Sequence, residues 1–184
     1  MSITKVAQHR QEKLRLFEYL VIELEKWKNE ASQKTQISFS KLQLQTLLFL
    51  ISAQEATLQH HPMLDIFDRF YALKYGPVEM DVYDAMNQGT FELLSFGERF
   101  CEIHKEKTDI FDNIPVEQKS MVDIAIGKLK QKNRNYILKD PFELVEITHG
   151  WTVWQVAMMV ADMTNSKMER MSTLEICNSD QKIY

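Results

Sequence analysis

From about Gln8 to Glu30 the chain carries Leu14, Phe17, Leu20, Val21, Leu24 and Trp27 at steps of three and four residues, with Glu, Lys, Arg and Gln between them. That spacing keeps the apolar side chains on one stripe and predicts an amphipathic helix. After the break at ASQKTQ, the stretch SFSKLQLQTLLFLISAQEA returns to helical period, with Leu44, Leu47, Leu48 and Ile51 as its stripe. Ser40 and Gln43 have the spacing of a capping box, in which each side chain meets the other residue's backbone N–H. Pro62 lies beyond the end of this helix and biases His61 away from helical conformation.

The stretch DRFYALKYGPV is rich in aromatic residues and ends at Gly76-Pro77, which predicts a short strand or extended segment. Pro77 suits the first position of a following helix, where its missing N–H is no loss. Glu79 and Asp81 then fall in the first turn, where carboxylates complement the helix dipole, and the helix stops near Gly89. TFELLSFGERFCEIHKE predicts a further helix or a pair of short ones. In NIPVEQKSMVDIAIGKLKQK, Asn113 is a candidate cap and Pro115 an early helical position, with Met121, Val122, Ala125 and Leu129 on one face. KDPFELVEITHG repeats the device with Asp140 and Pro141. WTVWQVAMMVADM is apolar on nearly every side, which predicts a helix buried among others. The residues from Thr164 to Tyr184 are polar and weakly patterned. The expected fold is mainly α: a compact helical domain of about seven or eight helices, with at most a small β element near residues 69–75. Its expected organisation is an N-terminal amphipathic helix extension over residues 1–36, a domain over 37–163, and a C-terminal tail over 164–184 packed on or beside it.

Composition supports this reading. Five glycines and four prolines in 184 residues favour long helices over a turn-rich β architecture. A chain of this length buries about 70% of its unfolded surface and folds without a metal or disulfide. A net charge of −4 argues against non-specific binding to nucleic acid or anionic membranes. Cys101 and Cys177 have no metal-ligand spacing and read as free thiols of a cytoplasmic protein. The N-terminus lacks the continuous apolar core of a signal peptide, and LQLQTLLFLISA is shorter than the roughly 20 residues a membrane span needs. A cytoplasmic location is expected.

Candidate chemistry is sparse. His60 and His61, with Asp65 and Asp68 nearby, are adjacent in sequence and on a helix would point about 100° apart. They read as a solvated helix end, and no metal site is expected. In EITHGWTVW, His149 as general base beside Thr148 is one reading. The other makes Thr148 a cap, His149 a hydrogen-bonded corner, and Trp151 and Trp154 core anchors. The second outweighs the first, because neighbours in sequence seldom converge as nucleophile and base. No phosphate-binding glycine loop or catalytic serine motif is present, so neither an enzyme nor a cofactor is expected. Half of the ten methionines fall near the C-terminus, at Met158, Met159, Met163, Met168 and Met171. Core filling is their expected role, with a surface that repacks on a partner as the alternative.

Three segments in order resemble the Panacea antitoxin domain family, also described as SocA-like. QLQTLLFLISA, Gln43 to Ala53, is similar to the family's K-L-Q-K-L-L-Y-F helix through Leu44, Gln45, Leu47 and Leu48. Gln43, Thr46 and Phe49 stand where the family has two lysines and a tyrosine. FYALKYGPVEMDVYDAM resembles A-W-x-Y-G-P-V followed by v-x-x-v-Y through Ala72, Tyr75, Gly76, Pro77, Val78, Val82 and Tyr83, with Leu73 in the usual tryptophan position. LVEITHGWTVW resembles L-x-x-x-T-H followed by tryptophan, through Leu144, Thr148, His149 and Trp154. The resemblance implies a mainly helical antitoxin of a bacterial or prophage toxin–antitoxin pair, binding a toxin encoded by the adjacent gene. It also admits a proteolytic adaptor that delivers the toxin to an ATP-dependent protease, or a phage-type transcriptional regulator. It marks Tyr75, Gly76, Pro77, Val78, Tyr83, Thr148, His149 and Trp154 as partner-binding or structural. Gly76-Pro77 is expected to form a rigid corner with the Thr148-His149 segment packed beside it.

Overall fold

The computed structural model describes residues 3–32, 38–104 and 110–180. Helix α1 (Ile3–Ala31) turns Leu16, Phe17, Leu20, Val21, Leu24 and Trp27 fully inward. The helix set apart as an extension thus contributes a face of the same core as the rest of the described chain, while the boundary expected at residues 36–37 lies outside the described residues. Helix α2 (Lys41–Ala53) is buried continuously from Gln43 to Ala53 and is enclosed by α3 (Pro62–Ile66), α4 (Met80–Gln88), α5 (Val116–Lys132) and α6 (Pro141–His149). A helix without a polar side belongs at the centre of the layers, and α2 takes that place. Ser40 caps it by accepting from the Gln43 N–H, but the reciprocal half of the expected box is missing. The Gln43 amide instead donates to the Ile137 and Lys139 carbonyls, within and just after the short 3-10 turn Tyr136–Leu138.

The β content exceeds the expected single segment. Strands β1 (Phe70–Leu73) and β2 (Gly76–Glu79) form a hairpin around Lys74 and Tyr75. Pro77 lies within β2 and does not open a helix; α4 starts at Met80 with Glu79 as its N-cap. The Met80 N–H bonds to the Arg69 carbonyl, so alternation along the antiparallel ladder leaves Ala72 and Pro77 as a non-bonded pair. The missing N–H of Pro77 therefore falls on the outer edge, where a proline does no harm to the sheet.

Strands β3 (Leu94–Phe96) and β4 (Cys101–Ile103) form a second hairpin where helices were expected. Their helical reading fails because Phe91, Phe96 and Ile103 pack onto the core from short extended segments around Gly97. Asn113 does not cap α5; the cap position is Pro115, without a side-chain bond. Asp140 with Glu143 forms the complete capping box at α6.

Helix α7 (Thr152–Met163) buries Val153, Ala157 and Ala161 but leaves Val156, Met159, Val160 and Met163 exposed, so it is not enclosed as expected. The weakly patterned tail supplies β5 (Met168–Arg170) and the capped helix α8 (Thr173–Cys177). β5 joins β1 antiparallel, giving the sheet order β2-β1-β5. Of the clustered methionines, Met171 is fully buried, while Met159, Met163 and Met168 are exposed. The fold is mainly α, with eight helices and two small antiparallel sheets among the described residues.

Glu18 ties the second hairpin to α1. Its carboxylate is buried and accepts from the Leu93 and Leu94 N–H groups at 2.6 and 3.3 Å. Burial holds this carboxyl above its ordinary range, against the pull of those donors. A carboxyl raised in the folded state keeps its proton where the unfolded chain has lost it. Stability therefore falls as pH rises from the ordinary glutamate value through the raised one. Glu18→Gln keeps an acceptor oxygen without that titration. Chemical denaturation between about pH 4 and about pH 8 should show the variant gaining on the wild type as pH rises. A pH-independent difference would contradict the assignment.

Candidate functional site

The three motif segments meet at one corner. Gly76 opens β2 with φ of +104°, a conformation that favours glycine, and a Cβ built there would stand 3.0 Å from Thr148 Oγ1. Thr148 is fully buried, and its hydroxyl donates to the Val145 carbonyl at 2.8 Å. The Trp154 indole N–H donates to the Leu73 carbonyl at 3.1 Å, joining α7 to the end of β1. His149 stacks on Trp154, with ring centroids 3.8 Å apart and planes 17° from parallel. Burial pushes the His149 pKa down, opposed by Glu146 at 3.9 Å. The imidazole is a packing surface here, and the Thr148 hydroxyl is committed to the backbone rather than to the ring. Trp151 packs edge-on against Phe49 in the core.

The motif residues therefore divide by role. Gly76, Pro77, Val78 and Thr148 are buried, and His149 and Trp154 are half-buried joints between the hairpin and α6–α7. Tyr75 projects from the turn at 56% exposure and meets the exposed Phe142 ring edge-to-face at 6.5 Å. Tyr83 is half-buried and lines the groove that runs beside the turn. Gln43 and Thr46, which replace the lysines of the resembled motif, are both buried and bonded to backbone carbonyls.

Beneath the hairpin lies a network that sequence reasoning missed. Lys13 of α1 is 1% exposed, and its ammonium meets Asp68 Oδ1 at 2.7 Å, Glu79 Oε1 at 2.8 Å and Asp81 Oδ2 at 2.7 Å. Arg69 pairs with Asp81, and Arg10 approaches Asp81 at 3.9 Å. Lys13, Arg10 and Arg69 thus balance Asp68, Glu79 and Asp81, three charges against three. Glu79 is further met by the Arg69 and Val82 N–H groups at 3.3 and 2.9 Å. Gln45 of α2 completes the cluster by accepting from the Glu79 N–H at 2.9 Å and donating to its carbonyl at 3.4 Å.

The Lys13 pKa is raised: burial, the largest influence, lowers it, but the three carboxylates outweigh burial. Asp81 is held low although burial opposes this, because Lys13 and Arg69 stabilise its charge. The carboxylate oxygens of Asp68, Glu79 and Asp81 lie within 4.8 Å of one another, a spacing that suits a cation. Lys13 is that cation. The expectation that Glu79 and Asp81 serve mainly the helix dipole is replaced by this pairing, with Glu79 capping α4 as well. The sequence held one signal, Lys13 on the buried side of an amphipathic stripe, but nothing in its spacing named the carboxylates.

No protein-family model, curated protein or solved structure matches this chain. Among the described residues no helix is long and apolar enough to cross a membrane.

Replacing Lys13 by methionine leaves buried carboxylates without their cation and should cost about 3–5 kcal/mol in urea denaturation. A loss below about 1 kcal/mol would remove the network from its central place. Gly76→Ala should cost about 1–3 kcal/mol by the same measurement, from the positive φ and the contact with Thr148.

Proposed function

We propose that the chain is a non-catalytic interaction protein, the antitoxin of a bacterial or prophage toxin–antitoxin pair, which neutralises its toxin in the cytoplasm by direct binding. The observation that carries this reading is the uncovered outer face of α7. Val156 is 53%, Met159 64% and Met163 85% exposed, on a helix with no charged residue before Asp162. Fully burying side chains of this kind is worth roughly 1.5–3 kcal/mol each, so a partner that covers them gains substantially. Methionine adapts its shape to an imposed surface, which suits a contact face more than a unique core.

The ordered resemblance to the Panacea family supports the same reading. So does the placement of its motif residues, which fix the hairpin against α6 and α7 and so hold α7 in a defined pose beside the exposed Tyr75. Rigid presentation lowers the ordering cost of binding.

Co-expression tests the proposal. The product of the adjacent gene should be toxic alone and harmless with this chain, and the two should form a complex of defined mass. Met159→Lys with Met163→Lys should abolish protection and complex while shifting Tm by less than about 2 °C, since both side chains are exposed. Full protection by the double variant would refute the α7 surface. Faster turnover of the toxin, lost in a strain lacking the protease, would replace direct neutralisation with the adaptor role.

A further inference from the structure

Between the β1–β2 turn, the first turn of α2, α4 and α7 lies a groove of about 850 Å³. Tyr75, Val78, Tyr83 and Met158 give it an apolar and aromatic lining. Lys41, Lys74 and Lys167 stand around it with one carboxylate, Asp162. Three positive charges against one leave a local balance of +2, in a chain whose total is −4.

These lysines differ from many others in the protein. Lys13, Lys26, Lys128, Lys130, Lys132 and Lys139 each meet a carboxylate. Among the described residues none of the groove lysines does: Lys41 donates to the Asn87 side-chain oxygen at 2.9 Å, and the Lys74 ammonium lies 5.5 Å from the Tyr75 ring centre. Their charge remains available to a ligand.

The geometry points to an acidic peptide segment of a partner protein as the occupant, with an apolar or aromatic side chain in the groove and flanking carboxylates on Lys41, Lys74 and Lys167. The partner as a toxin rests on the function proposed above; the chemistry of the groove does not. Charge complementarity selects an anionic ligand. A nucleic acid fits less well: the site has lysines without arginine forks, no glycine-rich backbone cradle, and a carboxylate on its rim.

Strand addition at β5 is also disfavoured. In the β1–β5 ladder the Met171 N–H bonds to the Phe70 carbonyl, so alternation turns the backbone groups of Met168 and Arg170 outward. Three of those four groups are already engaged. Ser166 Oγ accepts from the Met168 N–H at 3.3 Å and donates to its carbonyl at 2.6 Å, while the Arg170 N–H donates to Glu169 at 3.2 Å. Recognition therefore falls to the side chains of the groove.

The test pans the full chain against a displayed library of short random peptides, then measures synthetic winners by fluorescence polarisation. Winners should be net acidic with Leu, Phe, Tyr or Trp near their centre, and their binding should weaken steeply with salt. Lys74→Glu with Lys167→Glu, whose exposed side chains meet no carboxylate among the described residues, should weaken binding by roughly tenfold or more with Tm nearly unchanged. Tyr75→Ala should weaken it as well, by removing an exposed aromatic anchor. Failure to enrich any peptide, neutral or basic winners, a double variant within about twofold of wild type, or tighter binding of oligodeoxythymidine at the groove would each overturn the proposal.

The two readings fail separately. If acidic peptides fail to bind the groove, yet the wild type protects against the co-expressed toxin, the groove proposal falls and the antitoxin reading stands. If acidic peptides bind and the lysine variant loses them, yet the wild type does not protect, the groove stands and the antitoxin reading falls.

Discussion

The buried ammonium of Lys13 is the constraint on which the rest of the fold turns. It joins α1 to the segment before β1 through Asp68, to the end of β2 through Glu79 and to the first turn of α4 through Asp81. Removing Lys13, Glu79 and Asp81 from water is costly, and the cost is offset only when each is paired and hydrogen-bonded; Arg10, Asp68 and Arg69 stay partly exposed at the rim. Here the charges balance, and the Glu79 carboxylate also takes two backbone N–H groups. Such a network adds little to stability over an apolar substitute. It is intolerant of any other arrangement, so it fixes the register in which α1, the hairpin and α4 assemble.

From that point the order propagates outward. Gln45 extends the clamp from α2 to both backbone groups of Glu79, so the outer edge of β2 is satisfied by a side chain instead of a further strand. The hairpin then meets α6 through the close approach of Gly76 to Thr148, and α7 through the bond from Trp154 to Leu73. His149 fills the space against Trp154. The Gly76-Pro77 pair thus serves a tight turn and an edge strand. Its consequence is a defined pose for Tyr75 and for the helix whose Met159 and Met163 face outward.

The helices were legible where apolar spacing was regular and caps were local, as in α1, α2 and α6 with its Asp140 and Glu143 box. Strands β3, β4 and β5 were not, because three-residue strands carry too few positions for a period of two to stand out. Helix α7 was legible as a helix but misjudged in its surroundings: an apolar sequence says that a face wants covering, not whether this chain covers it. The segments carrying Gly76, Thr148, His149 and Trp154 do meet at one corner, but the division into buried joint and exposed Tyr75 needed the structure. The pairing of the Lys13 network was not legible, since Lys13 is separated from its three carboxylates by 55, 66 and 68 residues and only folding brings them together.

If Lys13 couples them as described, α1 and the hairpin stand or fall together. Native-state hydrogen exchange tests it most directly, by comparing amides in the middle of α1 with those of Leu73, Val78 and Val82. Exchange of both sets only through one global opening, with matching denaturant dependence, is the predicted result. Opening of α1 at distinctly lower free energy, while the hairpin amides stay protected, would contradict it and return α1 to the status of an appended helix.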